Sequence, residues 1–176
     1  LNIVISGLWW RTIFWEQPLL ETISEMWHFT QGNLEKVSLE EAFLDGFNKA
    51  KFLIENNIKF AEFGCRRRAS KKIHEHVLEG MCKARNTIEN GKNCFIGTSD
   101  IHMAYIAKEK FNTDLTITGT MAHSYVTSFG CSIKGEFEAF DTYIKTHKSE
   151  NLILLIDTYD TLRCGVKNAI KAFKEN

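Results

Sequence analysis

An α/β fold with parallel strand pairing is predicted for residues 58–176, preceded by a mainly helical segment over residues 1–57. Three observations predict it. From Ile58 onward, short apolar runs alternate with stretches in which apolar residues recur at helical spacing. Each run ends in a polar segment rich in Gly or Thr, at Gly64-Cys65-Arg66-Arg67-Arg68, Gly97-Thr98-Ser99-Asp100, Gly119-Thr120-Met121-Ala122-His123-Ser124 and Asp157-Thr158-Tyr159-Asp160. The last run, Leu152 to Ile156, is entirely branched aliphatic, the mark of a strand covered on both faces. Four strand–helix units cannot close an eight-stranded barrel, so the pattern fits a small open sheet or part of a barrel.

Asn2 to Ile5 is a short apolar run closed by Ser6-Gly7 and reads as a strand. Pro18 opens or kinks a helix over Leu19 to Trp27. Ser38 and Glu41 have capping-box spacing, and Ala42, Phe43, Phe47, Ala50, Leu53 and Ile54 follow at helical spacing until Asn56-Asn57. Ile58, Phe60 and Phe63 form a strand. Ser70 caps a helix with Ile73, Val77, Met81, Ala84 and Ile88 inward, stopped by Asn90-Gly91. Cys94 to Ile96 is a buried strand, and the next helix turns Met103, Ala104, Ala107 and Phe111 inward. Leu115 to Ile117 is the third strand. Phe137, Phe140, Tyr143 and Ile144 mark another amphipathic helix, and the last, from about Leu162, turns Val166, Ala169, Ile170 and Phe173 inward.

The 176 residues are 44% apolar and 25% charged, enough apolar surface to offset the entropy of ordering, which excludes a disordered chain. Twenty-two basic residues balance 22 acidic ones, and neither a nucleic-acid partner nor a membrane surface is expected of so neutral a chain. No run of about 18 apolar residues offers a transmembrane helix. The chain opens on Leu1 with no basic leader, so a signal peptide is not read and an internal fragment of a longer protein is. Five cysteines with no CxxC pair suit free thiols in a reducing cytoplasm better than a disulfide framework or a zinc site.

The polar strand ends carry the residues that could do chemistry. Arg66, Arg67 and Arg68 offer planar forks of donors for phosphate or carboxylate oxygens, or else a solvated basic turn. Thr98, Ser99 and Asp100 precede a helix, where backbone amides hold a phosphate or the side chains cap the helix. His123 can act as a base or take a phosphoryl group, with an aspartate as the expected partner of its other nitrogen. Asp157 and Asp160 can meet sugar hydroxyls or Mg²⁺, or cap the final helix. His74 and His76 are two apart and share no helix face for a metal, and Trp9, Trp10, Trp15 and Trp27 read as core or dimer interface.

As a set, EFGCRRRAS (Glu62 to Ser70), IGTSD (Ile96 to Asp100), ITGTMAHSYVTSF (Ile117 to Phe129) and LIDTYDTLRCGVKNAI (Leu155 to Ile170) resemble the nicotinate phosphoribosyltransferase family, and ISGLWWRTIFWEQPLLETISE (Ile5 to Glu25) is similar to it as well. The resemblance implies a partial (β/α) barrel of the type II phosphoribosyltransferase kind. It implies ATP-coupled condensation of nicotinate with phosphoribosyl pyrophosphate to nicotinate mononucleotide and pyrophosphate, with ATP and Mg²⁺, in a cytoplasmic homodimer. His123 would be the phosphorylated histidine, Thr120 would contact the pyridine carboxylate, Arg66 and Arg67 would line the anion pocket, and Ser99 and Asp157 would share its rim. The family usually has Asn where Asp100 stands, and its chains are more than twice as long, so this stretch alone is expected to be inactive. The alternatives are a related enzyme using nicotinamide or quinolinate, and a non-catalytic nucleotide- or phosphate-binding module.

Overall fold

The computed structural model describes residues 2–147 and 152–176. Asn2 to Ile5 is exposed and outside any strand, contrary to expectation. Four apolar residues form a strand only where a ladder takes up their backbone groups, and among the described residues none pairs with them. Two helices follow, α1 (Trp9–Thr12) and α2 (Glu16–Thr30). Pro18 falls in the first turn of α2, where its missing N–H would have had no partner. All four tryptophans of this segment are exposed, so they build no core here.

Reciprocal hydrogen bonds start α3 (Leu39–Glu55). Glu41 N–H donates to Ser38 Oγ at 3.1 Å, and Ser38 N–H donates to Glu41 Oε2 at 2.8 Å. Asn57, at φ 55°, turns the chain out of that helix. Ser70 caps α4 (Lys71–Thr87), which lies against α3 with little between the backbones. A Cβ at Gly46 would stand 2.0 Å from Val77 O, and one at Gly80 2.0 Å from Phe43 O.

The strands are β1 (Phe60–Glu62), β2 (Phe95–Thr98) and β3 (Thr116–Ile117). They form a parallel sheet in the order β1-β2-β3, with Glu62 opposite Thr98 and Thr98 opposite Ile117. The short helix α5 (Gly91–Cys94) leads into β2, and α6 (Ile101–Phe111) follows it. One core cluster of this part joins Leu78, Cys82, Phe95, Met103, Ala107 and Leu115; a second joins Ala50, Ile54, Ala84 and Cys94. Helix α4 therefore has neighbours on two sides. Its buried residues are His74, Leu78, Gly80, Cys82 and Ala84, whereas Ile73, Val77, Met81 and Ile88, expected inward, are half-buried.

The chain folds into two compact units, Leu1–Thr118 and Gly119–Asn176. The second holds α7 (His123–Ser128), α8 (Ile133–His147) and α9 (Val166–Glu175), α9 being preceded by a wide π turn at Thr161–Gly165. Its core is Met121, Val126, Ala139, Phe140 and Ala172, with Leu154, Leu155 and Ile156 packed against it. Leu152 to Ile156 is half-buried and outside any strand. The aliphatic run marks burial correctly, but among the described residues no neighbouring strand offers it a ladder. Helix α9 turns Asn168 and Ala172 inward rather than Ile170 and Phe173, which are exposed. Asn168 Nδ2 donates to Glu136 Oε2 at 2.8 Å and to Ile133 O at 2.9 Å, and these bonds set the rotation of the helix.

Candidate substrate site

In the first unit the sheet sets the site. Parallel pairing of β1 and β2 brings the turn after Glu62 beside the turn after Thr98. Arg66 and Ser99 come together there, lining a pocket of about 290 Å³ with Phe14, Glu16, Gln17, Phe63 and Cys65. Arg66 Nη1 pairs with Glu16 Oε1 at 2.8 Å, both side chains being about half exposed. An exposed pair of this kind contributes at most about 1 kcal/mol, so Arg66 can exchange Glu16 for another anion. Arg67 is not in this pocket. It lines a larger apolar cleft of about 820 Å³, among Phe52, Phe60, Ile73 and Val77. Arg68 is turned away from solvent and held by Glu21 at 3.0 Å and Glu25 at 3.6 Å.

Behind the pocket lies a buried polar cluster that sequence reasoning missed. Glu62 Oε2 accepts from Thr98 Oγ1 at 2.8 Å, and Oε1 accepts from Gly64 N–H and lies 2.9 Å from His74 Nε2. Burial opposes the charge of Glu62, but His74, Thr98 and the Gly64 amide together hold its pKa below the ordinary value. Asp100 is also buried. Its Oδ1 accepts from the amides of His102 and Met103 and so caps α6. Its Oδ2 lies 2.7 Å from Cys65 Sγ. Burial works against its ionisation too, and the Cys65 contact and the two amides outweigh it, lowering the pKa. Asp100 therefore serves as a helix cap inside the protein. The signals for this cluster were a Glu within a strand and a Cys immediately after the strand-end glycine, and neither has a motif spacing.

The second unit carries the histidine. His123 is the first residue of α7, following Ala122, whose methyl side chain cannot cap the helix. His123 Nδ1 and Thr158 Oγ1 are 3.1 Å apart, a hydrogen bond whose direction depends on the tautomer. Nε2 lies 3.9 Å from Asp157 Oδ1, with both side chains more than half exposed. Asp157 is thus a carboxylate next to the ring, at ion-pair rather than hydrogen-bond distance. Asp160 is committed to capping through the amides of Leu162 and Arg163. Thr120 Oγ1 donates to Met121 O at 2.9 Å, so its hydroxyl must turn before it can donate to a ligand carboxylate.

A small parallel α/β sheet with an arginine and hydroxyl groups at its strand ends defines a class, the α/β proteins that bind ligands beyond the carboxyl ends of their strands. The profile of the nicotinate phosphoribosyltransferase (NAPRTase) family matches residues 58–167, and the chain belongs to that family. A nicotinate phosphoribosyltransferase of Desulforapulum autotrophicum is 38% identical over 74% of this chain and 30% of its own length. One from Saccharomyces cerevisiae is 34% identical over 99% of this chain and 39% of its own. The chain thus spans well under half of the relatives it matches. A crystal structure solved as a nicotinate phosphoribosyltransferase from Saccharomyces cerevisiae superposes with a TM-score of 0.64 at 31% identity, covering 96% of this chain and 39% of that one. At 20% identity and the same TM-score, the Porphyromonas gingivalis enzyme shares the fold. Among the described residues, no helix is long and apolar enough to cross a membrane.

Proposed function

We propose that this chain is part of a nicotinate phosphoribosyltransferase that condenses nicotinate with phosphoribosyl pyrophosphate, releasing pyrophosphate. The observation that carries the reading is the family match over residues 58–167, which contains every strand-end motif singled out in the sequence. In this reading the sheet is the beginning of a (β/α) barrel, and 58–176 belongs to its catalytic domain. The intact enzyme works as a cytoplasmic homodimer, for which the exposed tryptophans near the N-terminus offer apolar surface.

Both substrates are anions. As pyrophosphate leaves the anomeric carbon, the ribose ring gains positive charge and the departing oxygens gain negative charge. An arginine fork is suited to the latter. Arg66, loosely held by Glu16 beside Ser99, is the group best able to move onto such oxygens. Arg67 is assigned a more distant part of the anion pocket. Thr120 turns its hydroxyl toward the nicotinate carboxylate.

ATP drives the reaction through phosphorylation of His123. Its hydrogen bond to Thr158 holds the ring at Nδ1 and leaves Nε2, beside Asp157, to take the phosphoryl group. Mg²⁺ binds through one or two carboxylates together with substrate phosphates. Asp157, exposed and free of capping duty, fits such a role, and the ion would neutralise phosphate charge there.

The test is pyrophosphate release by the intact protein. Release is expected with nicotinate, faster with ATP, and with transfer of label from γ-labelled ATP to His123. Equal turnover with nicotinamide or quinolinate overturns the substrate assignment, and release in none of these mixtures leaves a phosphate-binding module instead.

A further inference from the structure

We propose that Cys65, His74 and Asp100 form a buried binding site for a divalent transition-metal ion of the zinc class. None of the three is a group assigned to substrate, although Cys65 also lines the Arg66 pocket. The donors come from three places: Cys65 from the turn after β1, His74 from the first turn of α4, and Asp100 from the cap of α6. One ligand atom from each of Cys65, His74 and Asp100 lies within 4.8 Å of the others, and all three residues are buried. Donors around a tetrahedral zinc, with bonds of about 2.0–2.3 Å, stand roughly 3.3–3.8 Å apart. Small side-chain rotations would close the cluster on an ion.

Two features favour an ion at the cluster. The first is His74, which is 5% exposed. Both of its ring nitrogens are buried without a hydrogen-bond partner; Nε2 is close to Glu62 Oε1 but poorly aligned with it. A buried imidazole with no partner is costly, and its free lone pair is what a metal uses. The second is the sulfur. Glu21 Oε1 stands 2.6 Å from Cys65 Sγ and Asp100 Oδ2 stands 2.7 Å from it. A thiol has one proton and can serve only one of these carboxylates. Two donors already reach the sulfur, Gln17 Nε2 at 3.4 Å and Arg68 Nη1 at 4.0 Å, Arg68 being paired with Glu21 and Glu25 as well.

A bound divalent ion deprotonates a coordinating thiol outright, and binding releases that proton. Thiolate and imidazole among the donors favour zinc or cobalt over Mg²⁺ or Ca²⁺. The ion would tie together the ends of β1, α4 and α6, the elements that hold Arg66 and Ser99 at their pocket.

The experiment is Co²⁺ titration of the metal-free intact protein, carrying Cys131→Ser to remove the exposed thiol. The expected result is a thiolate-to-cobalt charge-transfer absorption that saturates at one equivalent, is displaced by Zn²⁺ and is insensitive to Mg²⁺. Cys65→Ser should abolish the band, and His74→Gln should weaken binding by more than the roughly 10–100-fold of an outer-shell change. Circular dichroism checks that each variant is folded. Absence of the band in the Cys131→Ser protein overturns the proposal whatever the other variants do. So does a band that survives in a folded Cys65→Ser protein.

Discussion

The two units each place a histidine beside a carboxylate, and they differ in what surrounds the pair. His74 and Glu62 are nearly inaccessible, 2.9 Å apart, within a lattice of fixed donors and acceptors. His123 and Asp157 are more than half exposed and 3.9 Å apart, with Thr158 as the one close partner of the ring among the described residues. Burial makes the first pair expensive to disturb, because any group left alone there loses water as well as its partner. Solvent screens the second pair and leaves it free to move. The same residue types therefore serve structure in one unit and are available for chemistry in the other.

Removing the buried carboxylate tests this contrast most severely. Glu62→Ala strands Thr98 Oγ1 and the Gly64 amide and removes the carboxylate beside His74, and should cost about 3–5 kcal/mol in urea unfolding. A loss below about 1 kcal/mol would show that the cluster is not a buried polar network. Next comes the close approach of α3 and α4. Gly80→Ala places a Cβ against Phe43 O and should cost about 1–3 kcal/mol, since the helices must separate.

Helix starts sharpen the comparison at smaller scale. Ser38→Ala removes the cap of α3 and should cost about 1 kcal/mol, whereas Ala122→Ser supplies α7 with the cap it lacks and should gain up to about 1 kcal/mol. The Ser38 amide and hydroxyl hold the Glu41 pKa below its ordinary value of 4.5. The stabilisation from that interaction is therefore complete above the ordinary value and is lost as the pH falls through the lower, folded one. Carboxyl NMR titration should show the Glu41 pKa rising toward 4.5 in Ser38→Ala. The smallest stability effect is expected at the exposed pair. His123→Asn and Asp157→Asn should each shift unfolding by no more than about 0.5 kcal/mol. His123→Asn should nonetheless abolish uptake of label from ATP while leaving a slow, ATP-independent transfer. A folded His123→Asn protein that still takes up label would move the acceptor elsewhere.

Much of this was legible because it is local. Ser38 and Glu41 announce a capping box within four residues, Asn57 and Asn90 end their segments in left-handed turns, and the strand-end motifs identify the family. Helix phase was less legible. Helix α4 has packing partners on two sides, so its apolar stripe does not single out one buried face, and α9 is oriented by the polar Asn168 rather than by Ile170 and Phe173.

By itself, then, the sequence determined the capped starts of α3, α4 and α6, the parallel pairing of its strands, its family, and which segments end in groups fit for anions. These follow from backbone capping, periodicity and motif, each confined to a few neighbouring residues. Only the tertiary structure decided that Leu152 to Ile156 packs without a ladder, that Arg66 rather than Arg67 meets Ser99, and that Cys65, His74 and Asp100 converge behind Glu62. Those outcomes depend on the register of β1 against β2 and on the phase of α4. Both are set by packing between residues distant in sequence, and no local pattern encodes them.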